Sequence, residues 1–193
     1  MAYLFKYYAK FYDQFMKKFK LDSNEAILKN IGEIKTKRIL DLGGGTGTLA
    51  DLLQRAGANV TLIDPSIEMT RIAKQKNPKI KIYNGTIQEI EKVLLEKQFD
   101  IVIIRDTLHH IQDQQETIKE AARCLDQNGI LLISEFNLKS IKTKCIWCFE
   151  TLCFERCHML TKESLLTLCS PYFKKQQVMA ISDFEMLYKG ENK

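Results

Sequence analysis

Hydrophobic and polar positions recur along the chain in blocks that read as strand, turn and helix. Ile39 to Leu42 is a short apolar run interrupted by Asp41. Gly43, Gly44, Gly45 and Gly47 follow, and then Leu49, Leu52, Leu53 and Ala56 at helical spacing. That is a buried strand, a tight turn and an amphipathic helix. The same alternation continues. Asn59 to Asp64 predicts a strand ending in a carboxylate, and Pro65-Ser66 opens a helix through Ile67, Met69, Thr70 and Ala73. Lys79 to Tyr83 predicts a third strand, with a helix near Ile87 to Glu96. Asp100 to Arg105 reads as a buried central strand. Asp113-Gln-Gln-Glu116 matches a capping box, and Ile118, Ala121, Ala122 and Leu125 form the apolar face of its helix. Asn128-Gly129 is expected to close that helix before a fifth strand, Ile130 to Ser134.

Residues Asn137 to Leu160 break the rhythm. Thr161 then caps a helix through Leu165, Leu166 and Leu168, and two strands, Phe173 to Ile181 and Phe184 to Tyr188, close the chain as a hairpin-like pair. Successive βα units make the first five strands parallel, with right-handed crossovers. The final pair makes the sheet mixed. No repeat or linker interrupts residues 1–193, so a single domain is expected.

The N-terminal end differs from the rest. Tyr8, Phe11, Tyr12, Phe15 and Phe19 share one helical face, and a second short helix, Ser23 to Asn30, ends near Gly32. Two readings stand: a helix capping the sheet edge with its aromatics as core, or a lid over residues 1–32 whose inner face lines a pocket. A basic helix on a membrane surface is a third.

Composition narrows the classes. Hydrophobic content of 45% and charged content of 27% are ordinary for a globular chain of 193 residues. No apolar run approaches the roughly 20 residues of a membrane span. The first residues, interrupted by Lys6 and Lys10, lack a signal-peptide core, so a cytoplasmic protein is expected. A net charge of +5 is mild, and nucleic acid is not the expected partner. Six cysteines are then expected as reduced thiols.

In an open α/β sheet, ligands bind beyond the carboxyl ends of the strands. Strand one brings Asp41 and the glycine loop there. Strand two brings Asp64, 23 residues later (64 − 41), near the interval of a ribose-binding carboxylate. The competing reading of Asp64 is a helix N-cap. Thr86, after strand three, can offer a hydroxyl or backbone amide to a purine edge, with Met69 and Ile87 on the ring faces; Met69 equally suits the core. After strand four come Arg105, His109 and His110.

The spacing Asp41-x-Gly43-x-Gly45-x-Gly47 departs from the dinucleotide pattern, whose third glycine position falls on Thr48. It resembles motif I of the class I S-adenosylmethionine (SAM)-dependent methyltransferases. Ile63-Asp64-Pro-Ser, Phe99-Asp100-Ile-Val, Leu108-His-His-Ile111 and Leu125-Asp-Gln-Asn-Gly-Ile-Leu131 occur in that family's order. They are most similar to the group containing the ubiquinone and menaquinone biosynthesis methyltransferases. The resemblance implies a Rossmann-like seven-stranded mixed sheet with its last strand antiparallel and helices on both faces. It implies SAM as cofactor, with Asp41, Gly43, Gly45 and Gly47 at its methionyl part. Asp64 would hold the ribose, Met69, Thr86 and Ile87 the adenine, and Arg105 would line the floor beside the sulfonium. Tyr8, Tyr12, His109 and His110 are the candidates on the acceptor side; none is assigned as catalytic. Thr86 stands where the family often carries an acidic residue.

Cys145, Cys148, Cys153, Cys157 and His158 form the most unusual stretch. Their intervals lack the turn residues of a zinc knuckle, and no metal is expected. They suit a helix with cysteines on its buried side, within a substrate-covering insertion over 137–160. The function expected is methyl transfer from SAM to a small-molecule acceptor, an apolar one among the candidates. The alternatives are an RNA methyltransferase and a SAM-binding regulatory protein without turnover.

Overall fold

The computed structural model describes residues 24–89, 99–152 and 157–193. The aromatic segment Tyr3 to Phe19, with Tyr8 and Tyr12, lies outside these residues. So do Cys153 and most of the helix expected from Ile87 to Glu96, which is helical over residues 87–89.

Seven strands form one sheet: β1 (Arg38–Leu42), β2 (Asn59–Asp64), β3 (Lys81–Asn84), β4 (Phe99–Arg105), β5 (Leu125–Phe136), β6 (Phe173–Ala180) and β7 (Glu185–Asn192). Their order is β3-β2-β1-β4-β5-β7-β6. The first five are parallel, as the βαβ rule requires, and β7 runs antiparallel to both β5 and β6. The order reverses between β1 and β4, so the switch point lies where the glycine loop emerges.

Helices α1 (Asn24–Asn30), α2 (Thr48–Arg55) and α3 (Ile67–Lys76) lie on one face, where Ile27, Leu49, Leu53 and Ala73 meet Ile39, Leu62 and Ile103. On the other face α4 (Gln114–Cys124) and α6 (Lys162–Cys169) bring Ile118, Ala121 and Leu165 against Leu40, Val102 and Ile133. Between them in sequence, α5 (Ile141–Leu152) belongs to the insertion. Among the described residues no helix is long and apolar enough to cross a membrane.

Capping chemistry read from the sequence sets several helix ends. Asp113 accepts from the Glu116 amide at the start of α4, and Thr161 and Ser164 form a reciprocal box at the start of α6. On α2 the buried face is Leu49, Ala50 and Leu53, while Leu52 is 40% exposed.

The turn expected at Asn128-Gly129 is real but sits elsewhere. Helix α4 ends at Cys124 and β5 begins at Leu125. Between the pairs Phe99↔Leu125 and Ile101↔Ile130, residues 126–129 oppose Asp100 alone. Asn128, at φ 62°, takes the left-handed conformation that lets this bulge turn. The Asn192 side-chain amide donates to the carbonyls of Ala122, Leu125 and Asp126, and Arg38 ties Asp100 to Asp126. Contacts from β1 and β7 therefore convert a helix-closing signal into a strand bulge. They also help extend β7 to Asn192, beyond the expected Tyr188.

Candidate active site

A cavity of about 540 Å³ opens at the carboxyl ends of β1, β2, β3 and β4. Of the residues singled out from the sequence, it brings together Gly43, Gly45, Asp64, Met69, Thr86, Ile87 and His110. Asp41, Gly47, Arg105 and His109 do not line it.

The glycine loop is shaped by its neighbours. Gly43 has φ 72°, and a Cβ there would lie 2.2 Å from the Thr107 methyl. The Thr107 hydroxyl donates to the Gly43 carbonyl at 3.1 Å, so the loops after β1 and β4 close on each other only because Gly43 lacks a side chain. Gly47 is the residue before α2, also in the left-handed region.

Asp64 is 8% exposed and held by two backbone donors, Gly45 N–H at 2.9 Å and Ser66 N–H at 2.8 Å. Burial raises its pKa, and those two hydrogen bonds work against the rise. The α3 cap is Ser66, whose hydroxyl accepts from the Met69 amide. Asp64 is thereby released from the N-cap role that competed with ligand binding. Its remaining lone pairs suit the two hydroxyls of a ribose. Met69 and Ile87 are almost wholly buried in the same wall and give apolar surface on the β3 side.

Thr86 has a different employment from the one expected. Its amide donates to the Glu89 carboxylate at 2.7 Å, and its hydroxyl accepts from the Glu89 amide at 3.4 Å. This reciprocal box occupies the amide, while the hydroxyl, used only as an acceptor, keeps its O–H donor for a ligand in the cavity it lines.

Asp41 is buried behind the loop, with one carboxyl oxygen unpartnered, and burial pushes its pKa up to about 6 against the pull of Arg105. Arg105 does not form the floor of the cavity. Its guanidinium donates to the Asn24 side chain at 2.7 Å, which ties β4 to the start of α1.

His109 is likewise removed from the acceptor side. It is 1% exposed, with Nδ1 2.6 Å from Glu135, itself 1% exposed. Glu135 also accepts from the Thr107 and His109 amides. Burial opposes ionisation of Glu135, but the imidazole and these hydrogen bonds hold its carboxyl below its usual range. His109 and Glu135 therefore brace the loop after β4. His110 does reach the cavity, with Cys157 Sγ 3.6 Å from Nδ1. Burial and the neighbouring His109 push its pKa down to about 3, so its imidazole is neutral at physiological pH.

Cys148, expected on the buried side of its helix, is exposed. Among the described residues no group of three or more His, Cys, Asp or Glu side chains is placed to hold a metal ion.

Sequence reasoning passed over Asp106. It lines the cavity at 8% exposure, with φ 49° and both carboxyl oxygens buried and unpartnered. Burial, reinforced by Glu135 and Glu185 and opposed by Arg105 and His109, pushes its pKa up to about 8. A usable signal was present: β1, β2 and β4 each place an Asp within one residue of their carboxyl end.

Residues 2–172 match the family model described as a methyltransferase domain. The chain belongs to the methyltransferase domain family. The chain is 33% identical over 133 residues to a ubiquinone biosynthesis O-methyltransferase of Pelagibacter ubique, covering 68% of this chain and 52% of the relative. It is 36% identical over 117 residues to the enzyme of that name from Rickettsia prowazekii, covering 58% and 45%. The chain thus spans about half the length of these curated relatives. Its fold is that of a Thermotoga maritima SAM-dependent methyltransferase, described as a possible histamine N-methyltransferase (TM-score 0.79, 19% identity, all of both chains). It also matches the magnesium protoporphyrin IX methyltransferase of Synechocystis with bound S-adenosylhomocysteine (TM-score 0.66, 19% identity, 92% and 83% covered). The seven-stranded fold implied by the sequence is the one observed.

Proposed function

We propose that this methyltransferase binds SAM in the cavity at the switch point and methylates a small molecule carrying a hydroxyl group. The observation that carries the reading is the convergence of the glycine loop, Asp64 and the Met69–Ile87 pair in one cavity. The names of the sequence relatives support a hydroxyl acceptor. The described cavity walls carry Asp64, Glu68, Asp106, Asp113 and Glu116 and neither lysine nor arginine, which favours a cationic ligand and disfavours an RNA phosphate.

These residues fit the cofactor. Gly43 and Gly45 present backbone at close range, Asp64 would hold the ribose, and Met69 and Ile87 would flank the adenine. When bound, SAM supplies an electrophilic methyl group on a sulfonium. The chain's own contribution is then to hold the acceptor in line and to exclude water. Neutral His110, in the wall, can hydrogen-bond an acceptor hydroxyl, but with its pKa held near 3 it is too weak a base to take that proton. The insertion over 137–160 covers the acceptor end in this reading. In support, its ends meet at Asn137 and Leu160, His158 N–H bonds the His109 carbonyl, and Cys157 touches His110. Residues 1–32 would complete the enclosure as a lid carrying Tyr8 and Tyr12.

Calorimetric titration tests this. SAM and S-adenosylhomocysteine should bind, and Asp64→Ala should weaken both by roughly tenfold to hundredfold, the scale of a lost charged hydrogen bond. Tyr12→Ala should weaken binding without lowering the melting temperature if the N-terminal segment is a lid. Binding of NAD with none of SAM would overturn the assignment.

A further inference from the structure

Two glutamines open α4, and they serve different partners. Gln115 donates to the Tyr172 hydroxyl at 3.2 Å, whereas Gln114 reaches back to the loop after β4. Asp113 caps the helix, so Gln114 is its first residue and directly follows that loop. The Gln114 side-chain amide donates to the Leu108 carbonyl and to the His158 carbonyl, both at 2.9 Å. The His158 N–H in turn donates to the His109 carbonyl at 2.7 Å. His158 is therefore held at both of its backbone groups, one by the loop and one by the Gln114 side chain. Two residues on, Leu160 closes against Leu138 and Asn137 at the start of the insertion.

Resting on the reading that this insertion covers the acceptor end, we propose that Gln114 is a positioning residue: it clasps the end of the insertion to the loop after β4 and so keeps His110 covered in the cavity wall. The clasp acts through its neighbours. Holding His158 holds Cys157 beside it, whose Sγ lies 3.6 Å from His110 Nδ1. Gln114 does not line the cavity, and His110 does, so the effect of the clasp reaches a ligand by way of His110.

Burial is the chief reason that the His110 imidazole stays neutral; His109 adds to it and Glu135 on β5 opposes it. Covered and neutral, the ring can hydrogen-bond an acceptor hydroxyl. Uncovered, it would take up a proton near its ordinary pKa of 6.5 and bring charge into that wall.

The experiment compares the wild type with Gln114→Met, which keeps the bulk of the side chain, adds no charge and removes both donors. Imidazole signals are followed by NMR between pH 8 and pH 5, with His110 assigned by its absence in His110→Gln. In the wild type His110 should stay neutral over that range. In Gln114→Met it should titrate, with its pKa moved up toward 6.5. Peptide mass spectrometry after brief iodoacetamide treatment gives a second reading. Cys157 should be alkylated roughly tenfold faster in the variant, the scale of two lost hydrogen bonds. S-adenosylhomocysteine should bind both proteins alike. Gln114→Ala repeats the comparison if the methionine variant does not fold. A lower melting temperature with His110 still neutral and Cys157 still slow would make Gln114 a stabilising residue only and overturn the clasp. A His110 that already titrates in the wild type would overturn the covering by the insertion. No binding of S-adenosylhomocysteine to the wild type would instead overturn the cofactor reading.

Discussion

The carboxyl ends of β2 and β4 each place a buried aspartate in the same cavity, yet the two are held differently. Asp64 has both oxygens bonded to backbone amides, from Gly45 and Ser66, and so is anchored before any ligand arrives. Asp106 has no such support; its neighbourhood is held instead by the side-chain pair His109–Glu135. The β2 end is a site completed by the chain itself. The β4 end is left electrostatically incomplete, which suits a place where a charged group must enter and leave. Each prediction below separates these two modes of support.

The largest effect should come from the brace under the β4 end. Glu135 joins His109 Nδ1 and the amides of Thr107 and His109 at a point closed to water. Glu135→Gln removes the charge but leaves the partners in place. Breaking one side of a buried pair costs about 3–5 kcal/mol. Urea unfolding should show that loss, and amide exchange should quicken at residues 107–110 more than in α3. Equal exchange in the two regions would mean that the brace is not local to β4.

Asp106→Asn should act in the opposite direction on the empty protein. A carboxyl whose folded pKa is raised above its unfolded value destabilises the fold as pH rises between the two. Here the window runs from about 3.8 to about 8. Wild-type stability should therefore fall relative to Asp106→Asn by up to ~1.4 kcal/mol per pH unit across that window, then level off. Asp41, with its pKa near 6, imposes a similar slope that ends earlier and persists in the variant. Urea midpoints of both proteins at pH 5, 6, 7 and 8 check this. Parallel curves would show that Asp106 is already compensated.

Much of this site was legible because local chemistry wrote it. The glycine spacing, the strand-ending Asp64 and the caps at Asp113 and Thr161 depend on residues close in sequence, and each stands where it was expected. What escaped depends on contacts far along the chain. The local exception is Thr86, whose partner Glu89 lies only three residues away and engages it in a cap. Arg105 answers to Asn24, 81 residues away, and His109 to Glu135, 26 away on the neighbouring strand. Asn128-Gly129 carries a true turn signal, but Asn192 and Arg38 decide that it becomes a bulge in β5. Asp106 was overshadowed by the two histidines after it, and its lack of partners is visible only once the strands are assembled.

The smallest effect should fall at the β2 end, on stability rather than on binding. Asp64→Asn keeps one oxygen able to accept from Gly45 or Ser66 but turns an N–H group toward the other donor. One backbone amide is then left without its acceptor in a mostly buried place, at a cost of about 1–3 kcal/mol. Part of that should be returned, because burial raises the pKa of Asp64 and the amide no longer pays for an ionisation the fold resists. The net loss should be about 1 kcal/mol near pH 7 and should grow as pH falls through the range in which the Asp64 carboxyl takes up its proton. The sign distinguishes the two aspartates: at neutral pH, Asp106→Asn raises the urea midpoint and Asp64→Asn lowers it. Measured side by side in one buffer, two shifts of the same sign would mean that the backbone donors around Asp64 do not anchor it, and the contrast between the two strand ends would fail.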